Sequence, residues 1–254
     1  MWPSYDGLEV KAGDALGNSQ RAEAFKYKRE LAKLSGTPDR KEWWMPPQVV
    51  NAINLPLQNA LNFPAAMLEP PFFDVKADPA LNYGAIGAVI GHEISHSFDD
   101  QGAKFDAQGK LTNWWSDEDL AHFQATGKAL AAQYSAYEPL PGVHLNGEQV
   151  LGENIADVAG LAVAWDGWKL SLGGKPAPKV QGLSGEQAFL TSFGQAWRTK
   201  QREPALRASI ISNGHAPPQF RVLTVRNLDA WSTAFNVKPK QKLYLAPADR
   251  VRVW

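Results

Sequence analysis

Cysteine is absent from the 254 residues. That excludes a disulfide framework and any thiolate metal site, so a bound metal must be held by histidine and carboxylate side chains. Excess charge is lacking too: Lys plus Arg and Asp plus Glu both number 26. Nothing in that balance points to nucleic acid or to an anionic membrane surface as partner. No apolar run reaches 18 residues, and the opening MWPSYDGLEV has neither a basic n-region nor an apolar h-region. The sequence therefore reads as having no membrane segment and no signal peptide. No internal repeat is evident. What is present, 44% apolar and 20% charged residues, describes a soluble globular chain rather than a disordered one. Its length permits one large domain or two modest ones.

Ala22, Phe25, Leu31 and Leu34 recur at near-helical spacing and predict a helix over about 19–34, which SGTPDR ends. Between Met45 and Phe73 stand Pro46, Pro47, Pro56, Pro64, Pro70 and Pro71, a density that excludes a long helix and allows short strands. VVNAINL, 49–55, is predicted as one of them. From Tyr83 to about Asp99 the sequence YGAIGAVIGHEISHSFD is small and apolar at most positions, the pattern of a helix buried inside a domain. A loop follows, 99–116. Ser116 before Asp117, Glu118 and Asp119 reads as an N-cap with an acidic first turn for a helix over 117–134. LGENIADVAGLAVAWDGWKL predicts a second buried helix over 151–170, LGGKPAPKVQGLSG a linker, and further helices are expected over 184–199 and near 228–235.

The chemistry concentrates in His92-Glu93-Ile94-Ser95-His96. Imidazoles at i and i+4 lie one turn apart on one helix face and can reach a single ion, a spacing that suits zinc. Glu93 is turned about 100° around the helix, so it is not aligned with the ligands but can reach water on the open side of the metal as general base. A catalytic zinc takes three protein ligands, and Glu153 is the third assigned here. It sits with Asp157, four residues on, in an otherwise apolar helix, where a carboxylate is costly unless paired or metal-bound. Asp157 on the same face can hydrogen-bond the outer nitrogen of a ligand histidine and fix its tautomer. A bare H-E-x-x-H string occurs by chance in many helices. Two ionisable pairs at helical spacing in two separate apolar helices are much harder to explain as solvated faces.

Taken together, VNA at 50–52, FPAAMLEPPFF at 63–73, VIGHEISHSFDDQG at 89–102, GENIADVAG at 152–160, GHAPPQFRV at 214–222 and the terminal VW make the chain resemble the neprilysin and endothelin-converting-enzyme family of zinc metallopeptidases, its bacterial members in particular. The resemblance spans nearly the whole chain. It implies an α+β, mainly α, thermolysin-like zincin domain over 1–254, with a small sheet and a buried H-E-x-x-H helix. It also implies one Zn2+ held by His92, His96 and Glu153, with Glu93 activating water for endopeptidase cleavage of oligopeptides. Asp157 carries over as a proton donor, although an aspartate held against a ligand imidazole should stay ionised and serves orientation more naturally. Asp99 carries over as a further support for the ligands. His215 and Arg221 match residues that hydrogen-bond the tetrahedral intermediate and the substrate backbone, and Asn51 with Ala52 the strand that pairs with the substrate chain.

Two departures stand out. After Asn-Ala the family often has aromatic residues, where this chain has Ile53 and Asn54. Family members commonly carry several hundred residues before this region, forming a helical lid domain that limits substrate size, and none of it is in these residues. The resemblance thus leaves a competing reading, a zinc-binding module without turnover. It also predicts self-association, or association with a missing N-terminal region, through apolar surface that the lid would cover. Relatives of this kind suggest a periplasmic or secreted location.

Overall fold

The computed structural model describes residues 4–253; the opening Met1 to Pro3 and Trp254 of the terminal VW lie outside the described residues. The fold is mainly helical with a single two-stranded sheet among those residues. Helix α1, Ala15–Lys33, is capped by Asp14, whose side chain accepts from the Gly17 amide, and it buries no residue. Strands β1, Ile53–Leu55, and β2, Ala60–Asn62, pair antiparallel with Ile53 opposite Asn62. The predicted strand over 49–55 is thus realised only in its last three residues. The register explains why: one end of the ladder runs into Pro56, and continuing it at the other would set Asn51 opposite Pro64, which has no N–H to give.

After the short α2, Pro79–Asn82, the helix expected over 83–99 is realised as three consecutive segments. These are a π-helical turn at Tyr83–Gly87, α3 at Ala88–Ser95 and a 3-10 turn at His96–Phe98. Helix α4, Asp117–Ser135, starts as expected at Ser116, whose hydroxyl accepts from the Asp119 amide. Then come α5, Leu151–Ser171, and α6, Gly185–Ala196, the latter closed by a capping box between Ser184 and Gln187. The remaining helices are α7, Glu203–Ser212, which is not among the predicted elements although Glu203 and Pro204 stand in its first turn, α8, Pro218–Val222, and α9, Asp229–Ala234. Among the described residues no helix is long and apolar enough to cross a membrane.

Helix α5 is the axis of the molecule. Its Leu161, Ala164 and Trp168 pack into one apolar cluster with Phe189 and Phe193 of α6. Its Ile155 and Val158 pack into another with Leu130 and Tyr134 of α4 and Phe220 of α8. Asn154 through Leu161 are buried without interruption, which is why the segment shows no clean amphipathic stripe. A third cluster, Ala52, Met67, Ile86 and Val89, seats the strand segment against the α3 region. Asn54 ties the two together, its amide donating to the Glu93 carbonyl at 2.7 Å and to the Ser97 hydroxyl at 2.8 Å.

Candidate metal centre

Helices α3 and α5 meet where glycine faces glycine. A Cβ on Gly91 would stand 2.4 Å from the Gly160 carbonyl oxygen, and one on Gly160 2.3 Å from the His92 amide nitrogen, so neither position has room for a side chain. Backbone thus lies directly on backbone. Glu153 and Asp157, seven and three residues before Gly160, share one face of α5 and are brought onto the histidines of α3. The α5 N-terminus is closed in as well: a Cβ on Gly152 would meet the Asp100 carboxylate at 2.6 Å, which sets a negative charge at the positive end of the helix.

At this crossing the inner atoms of three side chains converge. His92 Nε2 and His96 Nε2 are 2.9 Å apart, and Glu153 Oε2 lies 3.2 Å from the first and 3.5 Å from the second. Ligands of zinc at 2.0–2.2 Å in tetrahedral geometry stand about 3.3–3.6 Å apart; the His96–Glu153 separation falls in that range, the His92–Glu153 separation just short of it, and the two nitrogens stand closer together. Glu153 Oε2 is buried and makes no hydrogen bond of acceptable geometry despite these neighbours. A carboxylate oxygen without a well-formed hydrogen bond, facing His92 and His96 with His215 Nε2 also 3.0 Å away, is what an ion-holding donor set looks like. His92, His96 and Glu153 are the group of possible ligands found among the described residues, and nitrogen, nitrogen and oxygen donors fit one zinc ion.

The outer ring nitrogens are each held by a carboxylate. His92 Nδ1 lies 2.8 Å from Asp157 Oδ1, and His96 Nδ1 lies 2.6 Å from Asp99 Oδ2. With the proton on Nδ1 in both rings, the Nε2 lone pairs point to the shared centre. Asp99 is itself fixed, its other oxygen accepting from the amides of Gln101 and Gly102. Gly102 is obligatory there, because a Cβ would collide with the His96 carbonyl at 1.7 Å. Asp157 is fixed by Arg221, which donates through Nε at 2.8 Å and Nη2 at 2.7 Å. The guanidinium stacks 3.8 Å from the Trp197 ring. Beneath it Tyr134, fully buried on α4, hydrogen-bonds the Thr224 hydroxyl at 2.8 Å. Arg221, Asp157 and His92 thus form one continuous hydrogen-bonded chain.

The centre opens into a cavity of about 500 Å³. Its walls include Asn51, Ala52, Glu93, Trp197, His215 and Arg221, so every site residue inferred from the sequence is either in this cavity or directly behind it. Ala52 is buried while Asn51 is exposed, and both lie just outside the paired part of β1. His215 reaches in from the loop after α7 with Nε2 3.0 Å from Glu153 Oε2. Asn213 holds it, accepting from both the His215 amide at 2.9 Å and Nδ1 at 3.0 Å. Sequence reasoning overlooked Asn54, Trp197 and Asn213. Of these only Asn213 left a local signal, an Asn two residues before a His in a turn.

The electrostatics agree with a cation site. Burial disfavours charge on both rings, yet Asp99 and Glu153 outweigh it and raise His96 to about 10. Burial is likewise outweighed at His92 by Asp157 and Glu153, and its pKa also rises. Burial pushes Glu153 up, but the His215, His92 and His96 imidazoles prevail and hold it well below the usual carboxylate range. Asp157, against burial, is drawn down to about 2 chiefly by Arg221. Glu93 moves the other way, raised by burial. The cluster is therefore a well of negative potential with one carboxyl group kept easier to protonate than its neighbours.

Comparison with known proteins places this geometry. Residues 51–251 match peptidase family M13. The chain is 38% identical over 98% of its length to a neutral endopeptidase of Lactobacillus helveticus, of which it covers 37%. It is 35% identical, again over 98%, to an endothelin-converting enzyme homolog of Locusta migratoria, of which it covers 34%. It thus spans little more than a third of these relatives. Among solved structures it superposes on the Mycobacterium tuberculosis zinc metalloprotease Zmp1 in complex with inhibitor, with a TM-score of 0.92 and 49% identity over 98% of this chain and 39% of that one. PepO from Lactobacillus rhamnosis gives 0.84 and 39% over 97% of this chain and 38% of that one. The family match runs unbroken through α3, α5 and α8 and takes in the whole cluster around His92, so the chain belongs to peptidase family M13.

Proposed function

We propose that this chain is the catalytic unit, over 1–254, of a zinc-dependent endopeptidase of thermolysin-like zincin architecture that hydrolyses peptide bonds of oligopeptides. The observation that carries the reading is the convergence of His92, His96 and Glu153 on one point in a cavity that Glu93 also lines. Zinc, when bound by these three residues, supplies Lewis acidity toward a carbonyl oxygen and lowers the pKa of coordinated water from 15.7 toward about 7.

The chain's own residues supply the rest. Glu93, buried and with its pKa raised, accepts a proton from the attacking water and delivers it to the departing amine. Asp157 and Asp99 keep His92 and His96 in the Nδ1–H tautomer, an orienting role that the Arg221 ion pair favours over proton donation by Asp157. His215 faces the same point from the opposite wall, where an imidazole N–H stabilises a developing oxyanion. Arg221 has Nε and Nη2 on Asp157 and leaves Nη1 for a substrate carbonyl. The unpaired backbone at Asn51 and Ala52 suits main-chain pairing with an extended peptide.

The competing reading, a metal-holding module without turnover, predicts zinc without cleavage. Measuring zinc content beside hydrolysis of a quenched peptide separates the two. One zinc per chain with cleavage that a chelator abolishes and zinc restores is the expected result, and stoichiometric zinc with no cleavage of any peptide would refute it.

A further inference from the structure

A second cavity, of about 420 Å³, lies directly behind the metal-bearing turn. Pro56 and Gly102 line both it and the metal cavity, so the two spaces adjoin. The surface of its walls is mostly apolar, from Phe98, Phe105, Ala107 and Trp114, with polar groups from Asn59, Ser97, Asp106 and Gln108. Phe98 and Trp114 meet edge to face at 6.3 Å while remaining 40% and 45% exposed. Two large aromatic rings held partly open beside a reaction centre form a surface suited to an apolar ligand.

The cavity is also preformed. On one side is the turn between β1 and β2, on the other the loop that carries Phe105 to Leu111, closed by an antiparallel bridge between those two residues. Gly109, at φ +76°, lies flat on Leu57, where a Cβ would stand 2.1 Å from the Leu57 carbonyl oxygen. Asn59 and Arg40 both donate to the Ala107 carbonyl, each at 3.1 Å. The loop is further braced by Asp106, which accepts from the amides of Gln108 and Lys110, and by the Trp114 indole N–H on the Phe105 carbonyl. The one acidic side chain in the wall is thus already engaged within its own turn. A rigid, mostly apolar pocket of this volume is of the kind that holds a bulky side chain.

We infer that this second cavity is an extended substrate subsite that takes an aromatic or branched aliphatic side chain of the peptide being cut. The inference rests on the peptidase reading above and adds a specificity determinant to it. The occupant follows from continuity with the metal cavity: a peptide lying extended along Asn51 and Ala52 toward Pro56 covers four residues at about 3.3 Å each. Its side chain three or four positions from the scissile bond then arrives at Phe98 and Trp114.

The test uses the zinc-loaded chain and a set of quenched peptides of one sequence in which a single Phe is walked through Ser positions on both sides of the cut. The expected result is a roughly tenfold gain in kcat/KM for Phe over Ser at one position three or four residues from the cut. That gain should collapse toward one in Ala107→Trp, which fills the cavity, and in Trp114→Ala. Because Trp114 also braces the loop, Ala107→Trp carries the decision, with zinc content checked for each variant. Binding of the Phe and Ser peptides to zinc-loaded Glu93→Gln gives the same ratio without turnover. Cleavage of all peptides with no such position dependence, or a gain that survives Ala107→Trp, would overturn the subsite while leaving the peptidase reading intact. No cleavage of any peptide by the zinc-loaded chain would remove both.

Discussion

At the residue scale the site depends on charges that compensate each other out of water. Asp157 is buried at 3% exposure and paired with Arg221, itself buried at 6%. Its folded pKa of about 2 lies below the ordinary 3.8. A depressed carboxyl stabilises the fold above its ordinary value, and that contribution, about 2 kcal/mol for a shift of this size, is lost as pH falls from 3.8 through 2. Arg221→Leu removes the compensating cation and leaves the buried carboxylate with only the His92 ring N–H as partner, at a cost of about 3–5 kcal/mol. Acid unfolding followed by circular dichroism should therefore begin at higher pH in this variant than in the parent chain; an unshifted midpoint would contradict the pairing as a source of stability. The metal ligands themselves were legible in the sequence for the same physical reason. Ionisable residues at helical period inside apolar helices have few alternatives to being paired or ligated, so His92, Glu93, His96, Glu153 and Asp157 stood out. His215, Arg221, Asn51 and Ala52 did not, and only the resemblance supplied them. Asn54 and Trp197 act through contacts with residues 39 and 24 positions away, which no local pattern records.

At the scale of elements, the crossing of α3 and α5 decides whether ligands and supports meet at all. Gly91→Ala would insert a methyl group 2.4 Å from the Gly160 carbonyl. The helices must then separate, at a cost of about 1–3 kcal/mol or more, and the largest displacement falls on His92 relative to Glu153 and Asp157. The expected outcome is a chain that keeps its helical circular dichroism but loses zinc on dialysis at least tenfold faster than the parent. Full zinc retention would show that the crossing can relax without moving the donors. This contact was invisible in the sequence, where Gly91 and Gly160 are two among 21 glycines. A close approach of two backbones belongs to a pair of helices and leaves no period in either. Helix identity was otherwise well encoded by caps and periodicity at Ser116 and along α5, whereas the strand over 49–55 was overread because β propensity says nothing about a partner. The ladder is bounded by Pro56 after β1 and by Pro64 beyond β2.

For the whole molecule, the outstanding feature is the surface of α1. This helix buries no residue, and it leaves Leu16, Tyr27, Leu31 and, at its end, Leu34 exposed. Exposed apolar side chains grouped on one element without a buried residue favour association. Sedimentation at increasing concentration should show the chain self-associating, and Leu16→Glu with Tyr27→Glu should shift it toward the monomer. A chain that stays monomeric at high concentration would contradict this.

In the proposed mechanism Glu93 performs the proton transfer at a zinc centre built by His92, His96 and Glu153. Glu93→Gln keeps the side-chain volume and removes the base, so the most direct measurement is zinc content and peptide turnover on the same purified sample of this variant. One zinc per chain, as in the parent, with kcat lowered by at least about a hundredfold, is the expected result. Substantial peptidase activity in the zinc-loaded variant would contradict it.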